Sequence, residues 1–329
     1  MAKGTNQKRK LLYLAQIFSE ETDEDHGLTL AEIAQRLSRL DINAERKTLY
    51  QDFEELRRFG MDICTNQEGK SFRYFLGSRT FQLPELKLLV DAVQSSRFIT
   101  EQKSRELIKK LETLTSRSNA NQLQRQVLIA GRIKTMNESI YYNVDGLHTA
   151  IAKERQIQFR YFRWGPDKTM ILRHNGELYT VSPWHLCWDD ENYYLVAYDS
   201  ASGRIKHYRV DKMKNITITD LPRDGAETME HLDLTIYTRR LFGMFGGEPI
   251  RVTLEGDDDM INVLIDRFGD EIPLSRKDGD RVETRVDVAV SPQFLGWVAS
   301  FGGKLTVTSP PFVKEQMRTL ARKLSEQYE

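Results

Sequence analysis

The sequence has few cysteines and no excess of charge, and each shortage excludes a class of protein. Cys64 and Cys187 are the only cysteines among 329 residues, and neither has a partner at CxxC or CxxH spacing. They can form neither a disulfide framework nor a cysteine zinc site. The 48 basic residues balance the 48 acidic residues, so bulk electrostatics do not indicate a nucleic-acid partner.

Long apolar runs and catalytic motifs are also missing. No segment approaches the roughly 18 consecutive apolar residues of a membrane helix, and the N-terminus lacks the apolar core of a signal peptide. We therefore expect a soluble protein of a bacterial cytoplasm, without a membrane partner. The histidines never occur at HxxxH or HxH spacing, and phosphate-binding glycine motifs and GxSxG are absent. The sequence thus predicts no catalytic residues, no metal site and no cofactor.

Three short helices are predicted near the N-terminus of a chain long enough for two or three domains. Residues 7–18 carry apolar side chains at helical spacing and predict the first helix. Thr29 followed by Glu32 is typical of a capping box at the start of the second. Residues 45–60 repeat apolar side chains at i, i+4 and i+7 and end at a glycine, which predicts the third.

A hairpin is predicted after the third helix. Residues 61–65 and 71–76 cluster strand-forming side chains around the turn sequence QEGK. Three helices with a tight turn before the third, followed by a hairpin, are typical of a winged helix-turn-helix, in which the third helix enters a DNA major groove. We expect this domain over residues 1–78.

The candidate DNA contacts lie on the third helix, the hairpin and the start of the chain. Arg46, Lys47 and Gln51 are candidates for reading bases, because guanidinium and amide groups match base edges. Thr48 and Tyr50 can hydrogen-bond phosphates. Further candidates for the DNA backbone are basic or polar: Lys8, Arg9, Lys10, Lys70, Ser71 and Arg73.

The charge of this domain does not by itself favour DNA. Residues 1–78 contain 12 basic and 13 acidic residues. The acidic residues are bunched at Glu20, Glu21, Asp23, Glu24 and Asp25, where we expect a turn away from the basic side chains. Two alternatives remain: a three-helix bundle with a solvated charged face, and a winged helix that docks protein.

The middle of the chain changes from helical to strand patterns. Residues 79–137 predict a helical connector with a loop over the polar run at residues 116–126, and we assign no chemistry to it. Residues 138–222 predict one helix followed by five short strands, which together suggest a small, strongly bent barrel. In residues 205–211, His207 and Arg209 share one strand face, and two donors on one face suit an anion. The alternative is that Arg209 only pairs with a neighbouring aspartate.

The C-terminal part has a third pattern. Residues 249–329 predict the order β-α-β-β-α-β and a final helix, which is typical of a ferredoxin-like α/β sandwich. Residues 223–248 are predicted as a linker. The expected fold class is therefore α+β with several domains.

Three segments resemble one known family. YTVSPWHLCWDDENYYLVAYD and RIKHYRVDKM resemble the core of a WYL domain, with Tyr193, Tyr194 and Leu195 at the triplet that names it. ERKTLYQDFEELRRFG followed by MDI is similar to the helix and wing of transcription regulators that carry this domain. DRFG, FLGWVASFG and VTSPPFVKEQMRTL resemble the WCX extension that follows it.

The resemblance implies an Sm-like barrel that binds a regulatory effector, often nucleic acid or a nucleotide-like anion. The effector-binding candidates that it implies, together with one further cation, are Tyr161, Ser182, His185, Tyr194, Arg204, His207 and Arg209. We expect a sequence-specific regulator that binds a double-stranded DNA operator as a homodimer joined through its WYL and C-terminal parts. Its effector would be single-stranded DNA, another oligonucleotide or a nucleotide.

Overall fold

The computed structural model describes residues 7–123, 134, 139–230, 232–244, 246–277 and 279–329, with side chains for all of these except Gln7, Lys8, Thr235, Ile236 and Arg239. The chain divides into two compact units, Met1–Glu138 and Ser139–Glu329. Both contain helices and antiparallel strands, so the expected α+β class is confirmed. In the described part of the chain, no helix has the length and apolarity needed to cross a membrane.

The first unit contains the three predicted helices and the hairpin. Its elements are α1 (Gln7–Glu21), α2 (Leu30–Ser38), α3 (Arg46–Arg58), β1 (Ile63–Glu68), β2 (Ser71–Leu76), α4 (Leu83–Ser95), α5 (Glu101–Glu112) and α6 (Arg117–Leu123). Phe18 of α1 and Phe53 of α3 meet edge to face at 5.2 Å in the core. Strands β1 and β2 pair from Ile63 with Leu76 to Glu68 with Ser71. The core thus fixes α3 through its apolar face.

The capping box predicted for α2 is present. The Thr29 hydroxyl accepts from the Glu32 N–H, and the Glu32 carboxylate accepts from the Thr29 N–H at 2.7 Å. These two bonds satisfy two of the backbone donors at the start of the chain's second helix. They fix the start of α2 next to Leu28, which pairs with Tyr74 of the hairpin.

Two local predictions in this unit are wrong. Glu20 and Glu21 lie in the last turn of α1 instead of the following turn, and residues 117–123, predicted as a loop, form α6. Both follow from tertiary contacts, since helix ends and short helices depend on packing more than on periodicity.

The start of α6 is held against the end of α1 and the turn after it, in what we name the α6 anchor. Its contacts are Arg117 with Glu20 at 2.6 Å, Ser116 with the Asp23 carboxylate, and Ser118 Oγ with His26 Nε2 at 3.1 Å. Asp23 is 5% exposed, and it also holds His26 Nδ1 at 2.7 Å. The three helix-forming segments of the N-terminus are thereby joined to the connector helices.

The second unit begins with a helix and a curled antiparallel sheet. Its elements are α7 (Ile140–Ala152), β3 (Arg155–Trp164), β4 (Met170–Leu172), β5 (Tyr179–Asp189), β6 (Asn192–Asp199), β7 (Arg204–Arg209) and β8 (Met213–Pro222). The strand order is β4-β3-β5-β6-β7, and β8 pairs with β3. The sheet has six strands where five were predicted, because the three residues of β4 pair with the end of β3.

Four aromatic rings fill the concave side of this sheet. Phe159, Tyr161, Tyr179 and Tyr208 have ring centroids 5.1 to 6.3 Å apart. Most pairs are edge to face, the arrangement that ring quadrupoles favour. We call this side the inner face.

The segment predicted as a linker has structure of its own. It contains α8 (Ala226–Met229) and α9 (Leu234–Arg240). Met229, Leu241 and Met244 are buried against Tyr194 and Val196 of β6, on the side of the sheet opposite Tyr208. We call that side the outer face. Both faces of the sheet are therefore covered.

The C-terminal part forms a four-stranded antiparallel sheet with helices. Its elements are β9 (Pro249–Asp257), α10 (Met260–Phe268), β10 (Leu274–Arg276), β11 (Arg281–Ala289), α11 (Pro292–Ala299), β12 (Leu305–Ser309) and α12 (Pro311–Tyr328). The strand order is β10-β11-β9-β12. Leu254, Leu264, Phe294 and Val298 are buried in one core between the sheet and the helices.

Candidate nucleic-acid interface and effector site

The first turns of α3 present polar side chains to solvent. Arg46, Lys47, Tyr50 and Gln51 are exposed, as the helical pattern predicted. The hydroxyl of Thr48 is half-buried and donates to the Glu45 carbonyl at 2.8 Å. Thr48 therefore stabilises the start of the helix, while the other four side chains are available to a partner.

A cavity of about 430 Å³ lies beside these residues, between the starts of α2 and α3 and the hairpin. We name it the wing cavity. Its apolar lining consists of Leu30, Ala31, Ala34, Leu49, Phe72 and Tyr74. Its polar lining consists of Thr29, Arg46, Tyr50, Lys70 and Ser71. The cavity thus joins the candidate residues of α3 to those of the hairpin.

A hydrogen-bonded pair of tyrosines forms one wall of the wing cavity. Tyr74 donates to the Tyr50 hydroxyl at 3.4 Å, and the rings meet edge to face. Burial and this bond raise the pKa of Tyr74 to about 12, while bonds from Tyr74 and Arg46 lower the pKa of Tyr50. The pair orients the Arg46 side chain toward the cavity wall.

Several basic candidates are engaged elsewhere in the protein. Lys10 is 2% exposed, and its Nζ lies 2.5 Å from the Asp52 carboxylate, so it is not a phosphate contact. Arg73 pairs with Glu68 and donates to the Gly27 carbonyl at 2.9 Å, which ties the hairpin to the segment before α2. Arg9 is exposed. The side chain of Lys8 lies outside the described residues.

The outer face of the second unit's first sheet carries Tyr194, His207 and Arg209, and His185 of β5 pairs with Val196 on the same face. Tyr194 of β6 pairs with Arg209 of β7, and Val196 pairs with His207. The shared strand face of His207 and Arg209 is therefore confirmed. Tyr194 is 8% exposed under the segment 226–244, and burial raises the pKa of its hydroxyl.

Arg209 is held in place by two side chains. Its guanidinium contacts the Asp211 carboxylate at 2.9 and 3.0 Å and donates to Asn192 Oδ1 at 2.7 Å. The ion pair with Asp211 matches the structural alternative raised from the sequence. Because 38% of the side chain remains exposed, the guanidinium can still meet an anion from solvent.

His207 is a neutral imidazole at physiological pH. Burial lowers its pKa to about 4, and its Nε2 lies 3.1 Å from the Tyr237 hydroxyl of α9. A neutral ring has one N–H instead of two. His207 therefore does not add a positive charge to the outer face, contrary to the pairing of donors expected from the sequence.

The remaining effector candidates differ in their burial and in their hydrogen-bond partners. Tyr161 lies on the inner face, where its hydroxyl accepts from the Arg209 N–H at 3.1 Å and burial raises its pKa to about 12. Ser182 is fully buried and accepts from the Asp224 N–H at 2.9 Å. His185 is half-buried, and burial followed by the charge of Arg223 lowers its pKa. Arg204 is exposed at the start of β7.

Sequence reasoning missed Phe72, Asn192 and Tyr237. Phe72 is half-exposed on the hairpin and shares a strand face with buried Tyr74, an alternation that was visible in the sequence. Asn192 contacts Arg209 from the first residue of β6, and Tyr237 contacts His207 from the presumed linker, where no periodic pattern indicates a role. Within the described ranges, no group of three His, Cys, Asp or Glu side chains could hold a metal ion.

Comparisons with solved structures find 16 matching chains, including the following two of low identity. The first is the proteasome accessory factor B/C (PafBC) of Arthrobacter aurescens, at 14% identity and a TM-score of 0.29, covering 98% of this chain and 49% of that one. This chain spans about half the length of PafBC. The second is described as a CRISPR Cas-related protein, at 14% identity and a TM-score of 0.38, covering 89% of this chain and 76% of that one. A comparison with curated proteins finds no match.

Family models match two parts of the second unit. The WYL domain matches residues 143–218, which include α7 and most of the six-stranded sheet. The WCX domain matches residues 248–325, which include the four-stranded sheet and its helices. The chain therefore contains a WYL domain followed by a WCX domain.

Proposed function

We propose that this protein is a sequence-specific DNA-binding transcription regulator whose WYL domain binds a regulatory effector. The observation that carries the proposal is the exposed row of Arg46, Lys47 and Gln51 at the start of α3, with Lys70 of the hairpin across the wing cavity. A helix whose apolar side is buried and whose first turns are cationic can enter a major groove, while the hairpin contacts the backbone.

Salt dependence and one variant test the DNA contact. The slope of log K against log salt should steepen by about 0.9 for each phosphate neutralised, since binding releases counterions. Arg46→Ala should weaken binding to DNA from the chain's own upstream region by about 1–3 kcal/mol, measured by fluorescence anisotropy. Arg58→Ala, at the other end of α3, is the matched control and should change affinity by less than about twofold.

A chain that binds no such DNA at low salt is not a DNA reader. Binding that is insensitive to salt would instead favour protein docking by the same helix. Equal losses for Arg46→Ala and Arg58→Ala would mean that the start of α3 has no special place in recognition.

The proposed effector is a nucleotide-like anion or an oligonucleotide, and Arg209 is its principal contact. The exposed part of the Arg209 guanidinium offers charge-assisted hydrogen bonds to a phosphate. Tyr194 and His207 lie on the same face beneath α9. An effector that prefers one arrangement of this face would shift the population of regulator states, which is how sensing reaches DNA.

The Arg209→Ala variant should keep its affinity for DNA and lose its response to oligonucleotide effectors. The loss follows from removing the guanidinium, which is a bidentate donor. Arg209→Lys keeps the charge without the planar geometry, and should therefore retain only part of the response. Fluorescence anisotropy of labelled operator DNA, with and without added single-stranded oligonucleotide, measures the affinity for DNA and the response to the effector. Lys214→Ala, an exposed cation on β8, is the control. A normal response from Arg209→Ala would show that this arginine only pairs with Asp211.

The proposal includes finer features of architecture and assembly. We infer a winged helix-turn-helix in residues 1–78, an Sm-like barrel in the WYL domain, and a ferredoxin-like sandwich in the WCX domain, which the order β10-β11-β9-β12 supports. We also infer a homodimer in a bacterial cytoplasm, which acts by binding rather than catalysis. Two winged helices would then contact a two-fold symmetric operator.

A further inference from the structure

The wing cavity has an apolar floor that contact with DNA phosphates does not require. Its volume of about 430 Å³ lies within the range of small-molecule sites, roughly 300–1,000 Å³. Leu30, Ala34 and Leu49 line it beside the ring of Phe72, which is 50% exposed. An exposed aromatic ring over aliphatic side chains favours a flat apolar body, which can stack on the ring.

The rim of the same cavity favours negative charge. Arg46 and Lys70 line it, and none of the described lining residues is acidic. The nearby carboxylate of Glu32 is occupied by the Thr29 N–H and hydroxyl at 2.7 and 2.8 Å. Hydroxyls of Tyr50 and Ser71 add neutral hydrogen-bonding groups. The site therefore combines an apolar floor with an unopposed cationic rim.

We propose that the wing cavity binds a small aromatic carboxylate, and that this ligand displaces DNA from the winged helix. The ring lies on the floor against Phe72, and the carboxylate meets the guanidinium of Arg46 and the ammonium of Lys70. Displacement follows because both cations are also the proposed DNA contacts, so this second half rests on the proposed function. The chain would then have a direct inhibitory site in addition to the effector site of the WYL domain.

Calorimetric titration of the full chain with 2-naphthoate tests the binding. We expect one saturable site per chain with a Kd of about 1 mM or tighter, as the size of the ligand allows. Neutral 2-naphthamide and acetate should each bind about tenfold more weakly, since the first lacks the charge and the second lacks the apolar body.

Variants locate the ligand. Lys70→Met keeps the apolar stem and removes the charge, and should lower the affinity about fivefold or more. Lys47→Met is the matched control, because Lys47 is exposed on α3 and does not line the cavity. Ala34→Leu adds volume to the floor and should abolish binding, with helix content by circular dichroism confirming that it folds. Absence of saturable binding, or affinity unchanged in both Lys70→Met and Ala34→Leu, overturns the site.

A labelled mixed-sequence DNA duplex at low salt tests the displacement. Saturating 2-naphthoate should raise the apparent Kd for the duplex in the wild-type chain and leave it unchanged in Ala34→Leu. If the duplex stays bound at saturating 2-naphthoate, displacement is wrong, but the ligand site found by calorimetry is unaffected. If the duplex does not bind even without ligand, the proposed function is wrong, and calorimetry still tests whether the wing cavity binds 2-naphthoate.

Discussion

The Lys10→Met variant should destabilise the α1–α3 core by about 3 kcal/mol, because removing one partner of a buried ion pair leaves an uncompensated charge. Lys10 Nζ lies 2.5 Å from Asp52, whose side chain is 16% exposed, and the pair joins α1 to α3. Native-state hydrogen exchange of peptides from α1 and α3 measures the change directly. The sequence would instead predict weaker DNA binding and unchanged stability.

The double variant Lys10→Met/Asp52→Leu separates charge from packing. Replacing both partners by apolar side chains should bring stability back to within about 1 kcal/mol of the wild type. Lys47→Met, an exposed lysine of the same fold, should change stability by less than about 0.5 kcal/mol. Normal exchange in Lys10→Met together with weaker DNA binding would restore Lys10 as a phosphate contact.

The second unit should lose about 3 kcal/mol of stability between pH 6.5 and pH 4 through His207 alone. Burial lowers the pKa of His207 to about 4 in the folded chain, from 6.5 in the unfolded one. The contribution is complete above pH 6.5, where both states are neutral. It is lost as the pH falls toward 4, because only the unfolded state takes up the proton. Tyr237, which contacts the ring, has its pKa raised by burial to about 12 and stays protonated throughout.

The variant His207→Gln should reduce this loss, since glutamine can also hydrogen-bond Tyr237 and does not titrate. Urea unfolding followed by tryptophan fluorescence at several pH values reports the second unit selectively, because Trp164, Trp184, Trp188 and Trp297 all belong to it. His148→Gln, an exposed histidine of α7, is the control and should retain the wild-type slope. Identical slopes for His207→Gln and the wild type would mean that His207 is charged when folded.

Local sequence patterns were sufficient to predict much of the fold. The capping box of α2, the apolar side of α3 and the strand alternation of β7 depend on neighbours a few residues apart, so periodicity was sufficient to predict them. Lys10 could also have been placed correctly, because it lies four residues before buried Leu14 on the inward side of α1. Its positive charge, rather than its place on the helix, suggested a phosphate contact.

Contacts between distant segments could not be predicted in the same way. The outer face of the WYL sheet is covered by Met229, Leu241 and Met244, from a stretch whose short helices show no strong periodicity. That cover lies over the face that carries Arg209, while Tyr161 packs with Tyr208 on the other face. Strand β4 has only three residues, too few for an alternating pattern to identify.

The α6 anchor also sets the smallest piece of this chain that can be transplanted. A chimaera cut after residue 78 would carry Asp23 away from Ser116 and leave a buried carboxylate without its hydroxyl partner. Glu20 and His26 would lose Arg117 and Ser118 at the same time. The smallest piece to transplant is therefore the segment from α1 through α6, ending at Leu123, and an exchange between related proteins should keep that whole segment.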